Sequence, residues 1–471
     1  MRYFILTLVG VISLMMASCI EDGFTTSPSD VLAFSRDTVN FDTVFTDLGT
    51  PTARLIVFNR AKKGVSISSI RFKNPDTRFS MNVDGVSGRE FHDVEIRGRD
   101  SIYVFIECFI PETEGNAPSL VEDELEFVTN GVTQEVRVEA YGQNVTRLRN
   151  VRVSRDTRLT ADRPYVIFDS LTVERGVKLT VDPGAQLLFH DGASLVVDGQ
   201  IEAVGTAERK IAMRGDRLDN VLPDVEYDIM AGQWRGVRIA AGSFDNRMEY
   251  VDMRSTVSGL TLDSCADLSR QKLTLVNSWL HNSQGNVLTS KYAKVDAYGC
   301  CFSEAAGATV ELTGGEHQFV QCTFANNYLF SAIRSPLVWL GHVLPKHLET
   351  GNMQPLMKAS FNNCIIYGLA DDLNEGDLTG SQVFFRYVSL KAEGSDDENF
   401  LNCLWGTDPL FLTVRQDYYF NYRLGEESPV KAAGDPALVV PQTRYDMDGV
   451  DRLAAGAPSL GAYQYTPPKA E

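Results

Sequence analysis

One spacing constrains this chain more than any other feature. The pair Leu171-x-Val173 returns as Leu195-x-Val197, 24 residues later. Around it, short apolar runs lie between glycines at 176, 184, 192, 199 and 205. Three short strands in about 22–25 residues is the arithmetic of a stacked parallel coil. A second stretch gives the same period. Asp252, Ser278, Cys300, Cys322 and Cys364 follow one another at steps of 26, 22, 22 and 42, the last close to two coils. Gly259, Gly285 and Gly307 each fall seven residues after the first three. Coils stacked ~4.8 Å apart pile like residues into columns. They also predict a turn with positive φ at the glycine offset. Cys300, Cys322 and Cys364 are then a column of buried thiols, since in-register parallel side chains point the same way.

The grammar differs ahead of this region. From residue 31 to 143, seven or eight longer runs alternate apolar and polar residues, as in 52–58, 65–72, 101–106 and 134–140. Turn residues such as Asn74-Pro75-Asp76 and Asn130-Gly131 separate them, the pattern of a β-sandwich. The expected fold is all-β: an N-terminal β-sandwich over 31–143, then a parallel solenoid over 150–465. The 25 Phe, 17 Tyr and 37 Gly agree with it.

The N-terminus reads as a processing signal. A positive start at Arg2 precedes an apolar run over 4–16, too short to span a bilayer. Met16-Ala17-Ser18-Cys19 resembles the lipobox of bacterial lipoproteins. That resemblance implies a signal peptide over 1–18, cleavage before Cys19 and acylation of Cys19, with 19–30 as a tether. Ile20-Glu21-Asp22 resembles the export signal of lipoproteins sent to the outer face of the outer membrane. Each buried CH₂ of an acyl chain adds about 0.8 kcal/mol of membrane attachment.

The repeat region resembles the right-handed parallel β-helix of the pectate-lyase-like superfamily. Gln233-Trp234-Arg235-Gly236-Val237 looks like a rung start. Asp446-Met447-Asp448-Gly449-Val450-Asp451-Arg452 with Ser459-Leu460-Gly461-Ala462-Tyr463 looks like the closing segment of such helices. The sandwich resembles the immunoglobulin-like modules that precede larger domains in bacterial surface lipoproteins. Asp-Ser/Thr-aliphatic triplets at 37–39, 42–44, 100–102 and 169–171 resemble a bacterial O-glycosylation acceptor.

Charge limits the partners. With 44 Lys+Arg against 62 Asp+Glu, the net charge is −18, which argues against nucleic acid. It also opposes self-association, so a monomer is expected. No C-x₂-C pair, H-E-x-x-H or phosphate loop is present, and no cofactor is implied. Asp446, Asp448 and Asp451 offer a weak calcium site that lacks the distal glutamate of a full loop. Asp252 and His281 on successive coils, and Arg235 beside Trp234, are the catalytic candidates. The alternative for each is structural: a turn-bonding Asp252, a solvated His281, and an Arg235 packed on the indole. Residues 334–358 interrupt the coil period, and 369–377 and 393–398 are acidic. Side loops on a solenoid carry binding, so Trp339, with Tyr328 or Tyr367 from adjoining turns, is the candidate sugar-stacking site. Without a clean acid–base constellation, the expectation is a non-catalytic surface lipoprotein that presents a solenoid flank to a polysaccharide or surface protein. A polysaccharide lyase or glycoside hydrolase on the same scaffold is the alternative.

Overall fold

A computed structural model describes residues 23–222, 225–343, 352–374, 376–454 and 456–467. Residues 1–18, Cys19 and the start of the tether lie outside them. The regular elements of the described chain are all strands apart from a few 3₁₀ turns. It divides into two compact units between Asn144 and Val145.

The first unit has two sheets. One orders Leu32–Phe34, Ala53–Asn59, Ser101–Cys108, Phe79–Val83 and Val86–Gly88. The other orders Thr38–Phe45, Val132–Gln143, Ser119–Thr129, Val65–Phe72 and Glu90–Phe91, with Val94–Ile96 also on Val65–Phe72. Pairing is antiparallel except between Thr38–Phe45 and Val132–Gln143. Alternate residues of each sheet point inward: Leu55, Val57, Val104 and Ile106 meet Val39, Ile67, Phe127 and Val136 in one core. The expected tether is partly docked, because Thr25 N donates to Gly64 O at 2.8 Å and Gly64 N to Gly23 O at 3.1 Å.

The second unit carries a 24-stranded sheet that begins at Thr146–Val153, ahead of the expected 150. Its strands pair in parallel with strands two or three further along the same sheet. Three strand faces result, each with an inward apolar column. The first runs Leu171, Leu195, Val237, Leu260, Leu288, Val310, Val338. The second runs Ala203, Met248, Leu275, Ala297, Phe319, Phe361, Phe385, Phe400. The third runs Leu187, Met213, Met253, Leu280, Phe302, Phe324, Ile366, Leu390. All three meet in one core, the main source of stability for such a stack. Leu171 pairs with Leu195 and Val173 with Val197, as the spacing predicts.

Three details of the repeat differ from the sequence reading. Asp252 pairs with Trp279, so the residue in register with Ser278 is Val251, one position earlier. The step of 42 is one lengthened coil, since Thr323 pairs directly with Ile365. Within it Val338–Gly341 is a strand of the first face, paired with Val310–Val320. The recurring positive φ does not sit at the glycine offset. Gly259 has φ +63°, but Gly285 and Gly307 do not enter that region. A Cβ on Gly307 would lie 2.2 Å from Asn286 Oδ1, so close approach explains that glycine instead. Positive φ recurs just before the thiol column, at Tyr250, Asn277, Gly299, Gln321, Asn363, Tyr387 and Asn402. Asn tolerates this conformation better than most side chains. Cys300, Cys322 and Cys364 are buried free thiols in register, with Cys322 N donating to Cys364 Sγ at 3.5 Å.

The sheet ends at Phe400–Leu401, not near 465. The following segment folds back along the third face, where Tyr422, Met447, Ala462 and Tyr463 cover Cys301 and Ala325. The positive-φ asparagines hold it: Asn277 Nδ2 donates to Tyr445 O at 3.1 Å and Asn363 Nδ2 to Asp435 O at 2.9 Å.

Candidate functional site

The outward side of the third face is a ladder of polar and aromatic residues. Along one column lie Ala212, Asp252, Trp279, Cys301 and Thr323; along the next, Arg254, His281, Ser303, Ala325 and Tyr367. A cleft of about 160 Å³ opens over its middle coils. Ligand pockets for whole drug-sized molecules start near 300 Å³, so this cleft fits one unit of a longer chain. Three irregular segments wall it: the 3₁₀ turn Tyr227–Ile229, residues 328–330, and the hairpin Phe411–Gln416/Tyr419–Leu424. The hairpin tip is unusual, because Arg415, Asp417 and Tyr418 all have positive φ without being glycine. Tyr418 and Tyr419 remain 45% and 60% exposed there.

Asp252 and His281 meet in this region, with His281 Nε2 at 3.0 Å from Asp252 Oδ1. Parallel register places Asp252 beside Trp279, and His281 two residues further along, so the dyad is a diagonal contact between coils. Trp279 stacks on the His281 ring, centroids 4.1 Å apart and 17° from parallel, and its Nε1 donates to Ser303 Oγ at 2.8 Å. Burial pushes the Asp252 carboxyl up, but the Arg254 charge and the His281 hydrogen bond outweigh it and hold it at about 2. Arg254 lies 3.7 Å from Asp252 and 3.1 Å from Asp228, and Arg214 lies 3.3 Å from Asp228. Burial lowers the Arg214 pKa, partly offset by Asp228.

Glu304 lies on the floor of the same cleft, 3% exposed, with φ +48°. The neighbouring positive-φ residues Ser255 and Asn282 bond the carbonyl of Asp228 at 2.5 and 2.9 Å, fixing the turn that supplies its carboxylate. Tyr422 donates its hydroxyl to Glu304 Oε1. Oε2 has no properly directed hydrogen-bond partner among the described residues. Burial pushes the Glu304 carboxyl up to about 7, although the Ser303 and Tyr422 hydroxyls favour its charged form. Glu304, Asp228, Arg254, Trp279 and Tyr419 were not singled out by the sequence. A lone Glu in the apolar run 300–308 was the one available signal.

The remaining candidates separate. Tyr328 borders the cleft but is buried, 5% exposed and edge-on to Phe330 at 5.8 Å, so it offers no stacking face. Tyr367 shares the His281 column but packs on Phe411 at 6.4 Å, against a different cluster. Trp339 is not in a side loop. It is a half-buried strand residue of the first face, paired with Glu311, its ring over Gly341. The three aromatics therefore form no common platform. Arg235 is exposed next to Gly236–Ile239, also on the first face, and makes no cation–π contact with Trp234. Trp234 is buried inside the stack, parallel to Phe189 at 4.0 Å. The three aspartates of the calcium alternative each have protein partners. Asp446 accepts from the amides of Asp448, Val450 and Gln464, Asp448 pairs with Arg423, and Asp451 with Arg444. The acidic loops behave alike: Asp372 accepts from Ala392 N at 2.8 Å and Asp396 from Asn402 N at 2.5 Å. Pro345, His347 and Glu375 lie outside the described residues.

No family model matches the chain. It is 27% identical over 82 residues to Protein bark beetle of Drosophila melanogaster, a match covering 17% of this chain and 2% of that protein. Among solved structures, a Porphyromonas gingivalis protein of unknown function is 11% identical with a TM-score of 0.18, over 26% of this chain and 60% of that one. The periplasmic chaperone SfaE is 16% identical with a TM-score of 0.18, over 24% and 58%. The chain thus spans less than two thirds of each of these proteins, and likenesses of this size carry no argument about fold or activity.

Proposed function

We propose that the chain is an outer-membrane, surface-exposed lipoprotein whose second unit, wound as a right-handed parallel β-helix of the pectate-lyase-like kind, binds a glycan in the cleft on its third face. Cys19 is the lipid anchor, and the sandwich is an immunoglobulin-like spacer. The observation that carries the reading is the pairing of an aromatic rim with a hydrogen-bonding floor. Phe330, Tyr418 and Tyr419 offer exposed apolar faces for sugar rings, while Asp228, Arg254, His281 and Asn282 offer polar groups beneath them. A protein partner fits less well, because a stable protein interface covers about 800 Å² per side. Glycan-array binding tests the reading. Tyr419→Ala should abolish binding, while Trp339→Ala should leave it at wild-type level. Binding unchanged by Tyr419→Ala, or absent from the wild type, counts against the proposal.

A further inference from the structure

We infer that one end of the first unit is a membrane-facing surface: Arg60, Lys62, Lys63, Arg97 and Arg99 contact the phosphate-bearing lipid headgroups of the bilayer that holds Cys19. The inference rests on the Cys19 anchor of the proposed function and adds a second, electrostatic contact to it. Three observations carry it.

The five cations are gathered on two loops that hold each other. One loop joins Ala53–Asn59 to Val65–Phe72, and the other joins Val94–Ile96 to Ser101–Cys108. The buried Asn59 amide clamps both, donating to Lys63 O at 2.8 Å, Ile96 O at 3.1 Å and Arg97 O at 3.0 Å. Arg99 N donates to Ala61 O at 3.0 Å. A Cβ on Gly98 would lie 2.1 Å from Lys62 O, so the loops meet backbone to backbone. All five basic side chains are exposed, and none forms an ion pair among the described residues. They outnumber the carboxylates of this end, Asp30, Glu95 and Asp100, of which Asp30 and Asp100 accept from Thr25 and Ser101. The second observation is where the tether arrives. Gly23 and Thr25 both bond Gly64, the residue that follows Lys63. Cys19 stands four positions before Gly23, a span of at most ~14 Å when fully extended. An acylated Cys19 therefore delivers this end to the surface, and holds its charges at a distance comparable with the ~8 Å screening length. The third is Phe24, 46% exposed, its ring against Gly64. An apolar ring among cations suits the boundary between headgroups and acyl chains. Lipid phosphate is the polyanion that the position of Cys19 itself brings within reach.

Vesicle sedimentation tests this on the mature chain, residues 19–471, carrying Cys19→Ser so that no acyl group contributes. That chain retains Glu21 and Asp22, so their opposing charge is included. The vesicles are phosphatidylcholine alone, or an equal mixture of phosphatidylcholine and phosphatidylglycerol. Binding to the mixed vesicles only is expected, and it should weaken as sodium chloride is raised. Lys62→Ala with Lys63→Ala should lower the partition constant about 25-fold, since each cation near an anionic surface contributes roughly fivefold. Arg60→Ala with Arg97→Ala should do the same. Arg71→Ala with Arg137→Ala, which are paired to Glu126 and Glu122 on strands of the other sheet, should leave it unchanged. Equal binding to both vesicles, binding to neither, or binding insensitive to the lysine pair overturns the inference. Displacement by inorganic phosphate at an ionic strength where sodium chloride displaces nothing overturns it too, because it marks a small-anion site. The anchor is read separately: a native Cys19 found unacylated by mass spectrometry removes the anchor while leaving the vesicle result as measured.

Discussion

Replacing Glu304 by Gln should flatten one component of the pH dependence of stability. Gln is close in shape to the protonated acid and can still accept the Tyr422 hydroxyl. The folded chain holds Glu304 at about 7, against an ordinary value of 4.5 once it is unfolded. An acid raised by folding keeps its full stability contribution below 4.5. Above that, the unfolded chain releases the proton while the folded chain retains it, so stability falls until pH passes about 7 and then levels off. At 1.36 kcal/mol per pH unit, the loss is about 3 kcal/mol. Other carboxyls titrate too, but they occur in both proteins and cancel in the difference. Urea unfolding followed by tryptophan fluorescence suits the measurement, because Trp234, Trp279, Trp339 and Trp405 all belong to the second unit. Wild type and Glu304→Gln should be nearly equal at pH 4.5. By pH 8 the wild type should have lost about 3 kcal/mol relative to the variant. Parallel stability curves across that range would refute the burial argument for Glu304.

Further outcomes follow from the packing and the termini. Phe361 stacks between Phe319 and Phe385 at 5.1 and 4.8 Å and is fully buried, so Phe361→Ala should cost about 3–5 kcal/mol in urea unfolding. Asp446→Ala removes the acceptor of three backbone amides and should cost about 3 kcal/mol, read as a lowered Tm; added calcium should leave the wild-type Tm unchanged. Cys19→Ser should move the protein from the membrane pellet to the soluble fraction, and continued pelleting would remove the anchor assignment.

The stacked architecture was legible because each coil repeats the same inward positions, as the pairing of Leu171 with Leu195 shows. Registers failed where length varied. The long coil between Cys322 and Cys364 reads as two because its extra residues carry no distinguishing pattern. Trp339 was misplaced for the same reason: Val338–Gly341 looks like part of an insertion, yet its alternation fits the first face. Asp252 and His281 were accessible as candidates because one coil period separates them. Glu304 and Tyr422 were not, since they are 118 positions apart in sequence and only the back-folding of the C-terminal segment joins them. The hairpin that presents Tyr418 and Tyr419 follows the last strand of the sheet, where the repeat offers no guide.

A crystal structure of the full chain with a bound oligosaccharide tests the glycan site most directly. The ligand should be a glycan that the array identifies. The account predicts a sugar ring against Tyr419, with its hydroxyls bonded by Asp228, Arg254 or His281. A sugar seated on Trp339, or on any face other than the one carrying Asp252 and His281, would contradict it.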